Sequence, residues 1–140
     1  MRIFIIIIII LATFWNSSTA QEGTLKVKVT NIEKASGTMQ IGLYNLASQF
    51  PQKGKEYKKV RVRVSDKETT YTFKNLPKGE YAVALYHDSN SDGECNTNWV
   101  GVPTEGYGFS NNVMPLLSAP SFWRTKFSVA DFKAISIALR

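Results

Sequence analysis

The sequence predicts an all-β fold, an antiparallel β-sandwich of about seven strands, on three observations. Apolar and polar residues alternate at period two through several short runs. Clusters of Gly, Pro, Asn, Asp and Ser punctuate those runs. No window of useful length carries helical periodicity, so the apolar faces must be buried sheet against sheet.

Leu25, Val27 and Val29 alternate with Thr24, Lys26, Lys28 and Thr30, the pattern of a half-buried first strand. Glu33 to Gly37 reads as a turn, and Met39, Ile41 and Leu43 continue the alternation in a second strand. Asn45 to Tyr57 is polar, contains Pro51 and Gly54, and reads as a loop. Val60, Val62 and Val64 alternate with Lys59, Arg61 and Arg63 in a third strand. Tyr71 and Phe73 mark a fourth, closed by a turn at Asn75-Leu76-Pro77-Lys78-Gly79. Tyr81 to Tyr86 is apolar on both faces, as a central strand is. Trp99 to Ser121 reads as a long irregular stretch, after which Phe127 with Val129, and Ile135 with Ile137 and Leu139, supply the last two strands.

The N-terminus carries a different signal. Met1-Arg2 is a short positive start, Ile3 to Trp15 is almost unbroken apolar sequence, and Asn16 to Ala20 is small and polar. With Ser18 and Ala20 where a signal peptidase reads, residues 1–20 are expected to be a secretory signal and residues 21–140 one domain. The apolar run is shorter than the roughly 20 residues of a membrane span, so no stable span is expected after cleavage. The expected location is periplasmic or secreted. No cysteine lies near the cut, which argues against a lipoprotein, and the lone Cys95 forbids an intrachain disulfide. Loss of Arg2 leaves 16 basic against 11 acidic residues. That excess is too small to imply nucleic acid, and none is expected as a partner.

The stretch HDSNSDGECNTN, His87 to Asn98, holds the densest chemistry. Calcium takes six to eight oxygens at flexible angles, and a loop supplies them when alternate side chains point inward around a sharp turn. Asp88, Asn90 and Asp92 stand at loop positions one, three and five; Gly93 permits the turn, Glu94 offers its carbonyl, and Asn96 stands at nine. Trp99 occupies position twelve, where a bidentate glutamate normally closes the shell, and Glu105 is the nearest acid downstream to replace it. A structural Ca2+ ion is therefore the expected cofactor, of extracellular-range affinity. The competing reading is a metal-free turn rich in Asn, Asp and Ser.

Catalysis is not expected. Asp88, Asp92 and Glu94 would raise rather than lower the pKa of Cys95, which stands in a slot usually given to a small buried hydrophobe. His87 is in phase with Val83 and Leu85 at a strand end, where packed histidines are common, and one histidine makes no zinc site. Lys59, Arg61 and Arg63 line one face of a strand and read as a solvated exterior. Trp99, Tyr107, Phe109, Phe122 and Trp123 are dense for irregular sequence. Trp99, Tyr107 and Phe109 are the candidate ligand-binding residues, suited to stacking on sugars; the competing reading has these aromatics packing the loop onto the sandwich.

Three segments carry a family resemblance: YTFKNLPKGEY from Tyr71 to Tyr81, YAVALYHDSNSDGECNTNWVGVPTEGYGFSNN from Tyr81 to Asn112, and Ala119-Pro120-Ser121-Phe122. The chain resembles the bacterial secreted family "domain of unknown function 2141". The phrase F-x-N-L-P-x-G-x-Y is also similar to the strand-turn-strand of transthyretin-like and collagen-adhesin B-type sandwiches, within the broader Ig-like class. The resemblance implies a single exported sandwich domain without a described reaction. In the family pattern an aspartate often stands where this chain has Asn96, while Asp92 replaces a common asparagine. The expected function is a non-catalytic binding or interaction module with a structural calcium loop. The alternative is a metal-free module whose loop aromatics bind a carbohydrate, or a protein or glycan of the cell envelope.

Overall fold

The computed structural model describes residues 20–140; the signal segment expected at residues 1–20 lies outside them apart from Ala20. Eight strands form two sheets. They are β1 (Glu22–Thr30), β2 (Thr38–Tyr44), β3 (Lys58–Arg63), β4 (Thr69–Pro77), β5 (Gly79–Asp88), β6 (Tyr107–Phe109), β7 (Phe127–Val129) and β8 (Phe132–Ala138), with one helical turn, α1 (Phe122–Thr125). The smaller sheet runs β4-β1-β8 and the larger β3-β2-β5-β6, with β7 also paired to β5. The β1–β8 pair is parallel, while the other pairs are antiparallel. No helix among the described residues is long and apolar enough to cross a membrane.

The alternation read from the sequence builds the core between the sheets. Leu25, Val27 and Val29 of β1 face Met39, Ile41 and Leu43 of β2, Val83 and Leu85 of β5, and Ile137 of β8 in one buried cluster. Two details depart from expectation. Asn75 and Leu76 belong to β4, and the connection to β5 is confined to the residues around Lys78. Leu25 pairs with Phe73 and Gly23 with Leu76, so Lys74 and Asn75 together oppose Thr24 in a bulge. Asn75 takes the left-handed conformation there (φ 58°), which asparagine tolerates better than most residues. The eighth strand, β6, lies within the stretch expected to be irregular.

A second, smaller core covers the outer face of the larger sheet. Tyr44, Phe50, Ala82 and Phe122 are buried together, with Ala84 and Phe109 packed against them. Phe50 meets Tyr44, Phe109 and Phe122 edge-on, at ring-centroid distances of 5.2, 6.2 and 6.1 Å. The loop between β2 and β3 and the α1 turn are thereby clamped over the sheet, which explains why β2 is buried along both faces. Ser110, fully buried just after β6, joins β5 to α1. Its hydroxyl accepts from the Val83 amide (2.9 Å) and donates to the Thr125 carbonyl (2.6 Å). Asn111 and Asn112, both left-handed, tie this corner down: Asn111 donates to the carbonyls of Arg124 and Lys126, and Asn112 exchanges hydrogen bonds with Ser136 and Ala138.

Candidate functional site

Strand β5 delivers Asp88 to the start of the acidic loop, and the loop closes on that carboxylate. Asp88 is 1% exposed. Its Oδ1 accepts from the Asp92 amide (3.1 Å) and its Oδ2 from the Gly93 amide (2.8 Å). Asn90 Oδ1 also accepts from the Asp92 amide (3.2 Å), and Asn90 Nδ2 donates to Asp92 Oδ2 (2.9 Å). Of the three side chains expected to converge, Asp88 and Asn90 meet at the backbone N–H of Asp92, whereas the Asp92 carboxylate turns to the Asn90 amide group and the Glu94 N–H. Gly93 is left-handed (φ 84°), as the sharp turn at position six requires. The Glu94 amide, then the Asn90 side chain, holds the exposed Asp92 carboxyl below its ordinary range by stabilising the charged form.

Glu105 braces the loop from the other side. Its Oε1 accepts from the amide and hydroxyl of Ser89 (3.0 and 3.3 Å), and its Oε2 from the Asn96 amide (3.1 Å). Both ends of the loop are thus pinned to one carboxylate. Among the described residues no three His, Cys, Asp or Glu side chains form a metal-binding group. Asn96 Oδ1, however, is buried with no hydrogen-bond donor. Beyond Asn96 the chain makes a small arm: Asn98 Oδ1 accepts from the Val100 and Val102 amides, and Trp99 projects from its tip, 95% exposed.

Two residues weighed for catalysis have structural places. His87 is buried on the inner face of β5, its Nε2 2.7 Å from the Ser36 carbonyl oxygen, so that nitrogen carries the proton. It borders a polar hollow of about 370 Å³ that also meets Glu33, Lys34 and Glu105. The half-buried Cys95 thiol has its pKa pushed up, first by burial and then by the charge of Glu105.

A groove with a cavity volume of about 460 Å³ lies beside the loop, on the outer face of the larger sheet. Its floor is Gly42 and Ala84, which are cross-strand partners, and Ala84 pairs in turn with Phe109. Tyr86, Tyr107 and Phe109 stand along the sheet; Val102 and Pro103 of the loop arm, and Pro115, Leu116 and Leu117 beyond β6, form the walls. Leu116 and Leu117 are almost wholly exposed, an uncommon concentration of apolar surface at one mouth. Of the aromatics expected to bind a ligand, Tyr107 and Phe109 line this groove, on strand β6, while Trp99 stands outside it. Phe122 packs in the second core, and Trp123 is exposed beside Lys126, 4.8 Å from its ring.

The loop is fastened to the groove through one carbonyl. Gly93 O accepts from Arg61 Nη2 (3.1 Å), Lys53 Nζ (3.3 Å) and Tyr86 Oη (3.2 Å). Arg61 Nε also donates to Gln40 Oε1 (3.2 Å). Arg61 is therefore more than solvated exterior: it joins β3 to the acidic loop. The sequence reading missed Gln40, Gly42, Lys53, Ala84 and Tyr86. A signal was present in β2, whose outer positions are Gln40, Gly42 and Tyr44 where β1 places Lys26 and Lys28; amide, glycine and aromatic mark a covered face rather than a wet one.

Fold and site together define a β-sandwich that carries an acidic turn and an apolar groove on one sheet. The chain belongs to the family described as "Uncharacterized protein conserved in bacteria (DUF2141)", whose model matches residues 27–136. No curated protein and no solved structure matches it.

Proposed function

We propose that this is an exported, non-catalytic binding module whose ligand surface is the groove on the outer face of the β3-β2-β5-β6 sheet. The observation that carries this reading is the groove itself. Its floor of small residues, its aromatic and proline walls and its few polar groups are the composition of a small-molecule site, and about 460 Å³ falls within the usual ligand range. Export rests on the apolar run from Ile3 to Trp15. The acidic loop, closed by its own hydrogen bonds, serves as one wall. Nile red, a neutral apolar dye, should brighten on binding the purified protein. Ala84→Leu, which fills the floor, should weaken that binding about tenfold or more, the effect of losing roughly 1.4 kcal/mol of contact. Undiminished binding in the variant would remove the groove from consideration.

A structural calcium ion in the loop is a second reading, favoured by the unpartnered, buried Asn96 Oδ1, an oxygen of the kind a hard cation takes. Asp88, Asn90, Asp92 and Asn96 would hold it through side chains and Glu94 through its carbonyl. Glu105, already engaged by Ser89 and Asn96, would brace the shell. The ion would add oxygen bonds that fix the loop against the groove. Calcium at about one hundred times Kd should stabilise the fold by about 2.7 kcal/mol, read as a raised melting temperature that a chelator reverses and Asp92→Ala reduces. A melting temperature indifferent to calcium would leave the self-bonded turn as the whole account.

A further inference from the structure

We infer that the groove takes an amphipathic acid: an elongated apolar body lying over Gly42 and Ala84, with its carboxylate at the end marked by Gln40 and Lys53. The inference rests on the groove being the ligand surface and adds the class of ligand. Gln40 carries most of it. The residue is 5% exposed yet lines the groove. Its Oε1 accepts from Arg61 Nε at 3.2 Å, which fixes the direction of the amide, and the Tyr86 hydroxyl stands at the same distance. Its Nε2 finds no acceptor among the described residues. That amide nitrogen is not sealed in the core, and with Gln40 lining the groove its free N–H is open to an acceptor on a ligand.

The same end of the groove is rich in donors and positive charge. Lys53, which also lines it, forms no salt bridge among the described residues, and neither does Arg61. The acceptors there are already used: Gly93 O by Arg61 and Lys53, and Gln40 Oε1 by Arg61, with the Tyr86 hydroxyl and its one proton 3.2 Å from both oxygens. Asp88 and Glu105 are spent on loop amides, and Asp92, the exposed carboxylate that also feels the Lys53 charge, holds the Glu94 amide and the Asn90 side chain. What this end offers a ligand is therefore an N–H and an ammonium, complementary to an anionic oxygen. Gln40, Gly42 and Tyr44 follow one another on one face of β2, so Tyr44 stands about 13 Å from Gln40 at about 3.3 Å per residue. Glu56, the groove's one acid, lies toward that far end. It packs against Gly42 and raises the pKa of the Tyr44 hydroxyl, after burial. Between the ends the lining is small or apolar, which suits a hydrocarbon chain better than a sugar, whose hydroxyls each need a partner.

Displacement of Nile red by decanoate, decanol and decylamine separates the parts of this inference. Decanoate should bind at least about tenfold more tightly than decanol, the scale of a charge-assisted hydrogen bond. Lys53→Gln should remove most of that advantage and leave decanol unchanged. Ala84→Leu should weaken acid and alcohol alike, and the exposed pair Leu116→Ser and Leu117→Ser should do so in a protein of unaltered melting temperature if Ala84→Leu fails to fold. Equal binding of acid and alcohol, with the Ala84→Leu effect intact, would overturn the acidic head while sparing the groove. Tighter binding of decylamine would also overturn it and assign the head to Glu56. Nile red and decanoate both failing to bind would bring down groove and ligand together.

Discussion

Asp88→Ala is expected to lower the stability of the domain by roughly 2–4 kcal/mol, although the residue belongs to a loop. The carboxylate is buried, and it is the acceptor for two amides, those of Asp92 and Gly93. Hydrogen bonds to a charged group contribute about 1.5–3 kcal/mol each, and the Gly93 amide has no second acceptor, whereas that of Asp92 keeps Asn90. In a domain of this length the loss corresponds to a melting temperature lower by roughly 8–16 °C. Asp88→Asn, which keeps one oxygen, should fall between wild type and alanine. Asp92→Ala should cost much less, since its exposed side chain chiefly holds the Glu94 amide. Equal losses at positions 88 and 92 in chelated buffer would show that the loop is not organised on the Asp88 carboxylate.

Gly37→Ala carries the second large effect, because it strikes the same loop from beneath. Gly37 sits in the left-handed region (φ 71°), and its carbonyl accepts from the Val64 amide (3.0 Å). A Cβ there would run into the Asp88 carbonyl oxygen and stand 2.8 Å from Ser89 Cα. Both obstacles are backbone at the root of the acidic loop, so neither swings aside as a side chain would. The expected cost is roughly 3–5 kcal/mol, of which the left-handed backbone accounts for about 1–2. Gly54→Ala is the internal control. Gly54 has a similar φ (85°), but nothing lies within 4 Å of its missing Cβ, so only the backbone penalty applies. Urea unfolding of the two variants isolates the clash as their difference; matched losses would mean that the Gly37 turn does not press on the loop.

The elements the sequence made legible are those whose side chains alternate against the sheet-to-sheet core. Leu25, Val27 and Val29, or Met39, Ile41 and Leu43, announce both strand and buried face because period two has one physical meaning in a packed sandwich. Strand β6 was not legible. Three residues long, with Gly108 in its middle, it is held by its pairing with β5 and by mutual hydrogen bonds between Tyr107 and Arg140. Asn75 was read as part of a turn, and the residue type was informative: asparagine supplies a left-handed residue, but the long-range register of β1 uses it for a bulge.

The acidic loop was legible because its ligating pattern and its self-bonding pattern coincide. Side chains at alternate positions that can surround a cation can equally accept from their own backbone. Glu105, seventeen residues beyond Asp88, was picked out only as the nearest downstream acid, and its place against Ser89 and Asn96 depends on the fold. The groove was half legible. Tyr107 and Phe109 were conspicuous as aromatics, but Gln40, Gly42, Ala84 and Lys53 come from three separate segments, and no local pattern ties them together.

The claim that the outer-face groove is the binding surface is tested most directly by mapping. Backbone amide resonances of an isotope-labelled domain of residues 21–140, titrated with decanol, should shift in one contiguous set at Gly42, Ala84, Tyr86, Tyr107 and Phe109, with the inter-sheet residues Val27, Ile41 and Val83 least affected. Shifts confined to the exposed arm around Trp99, or spread through the core without that set, would contradict it.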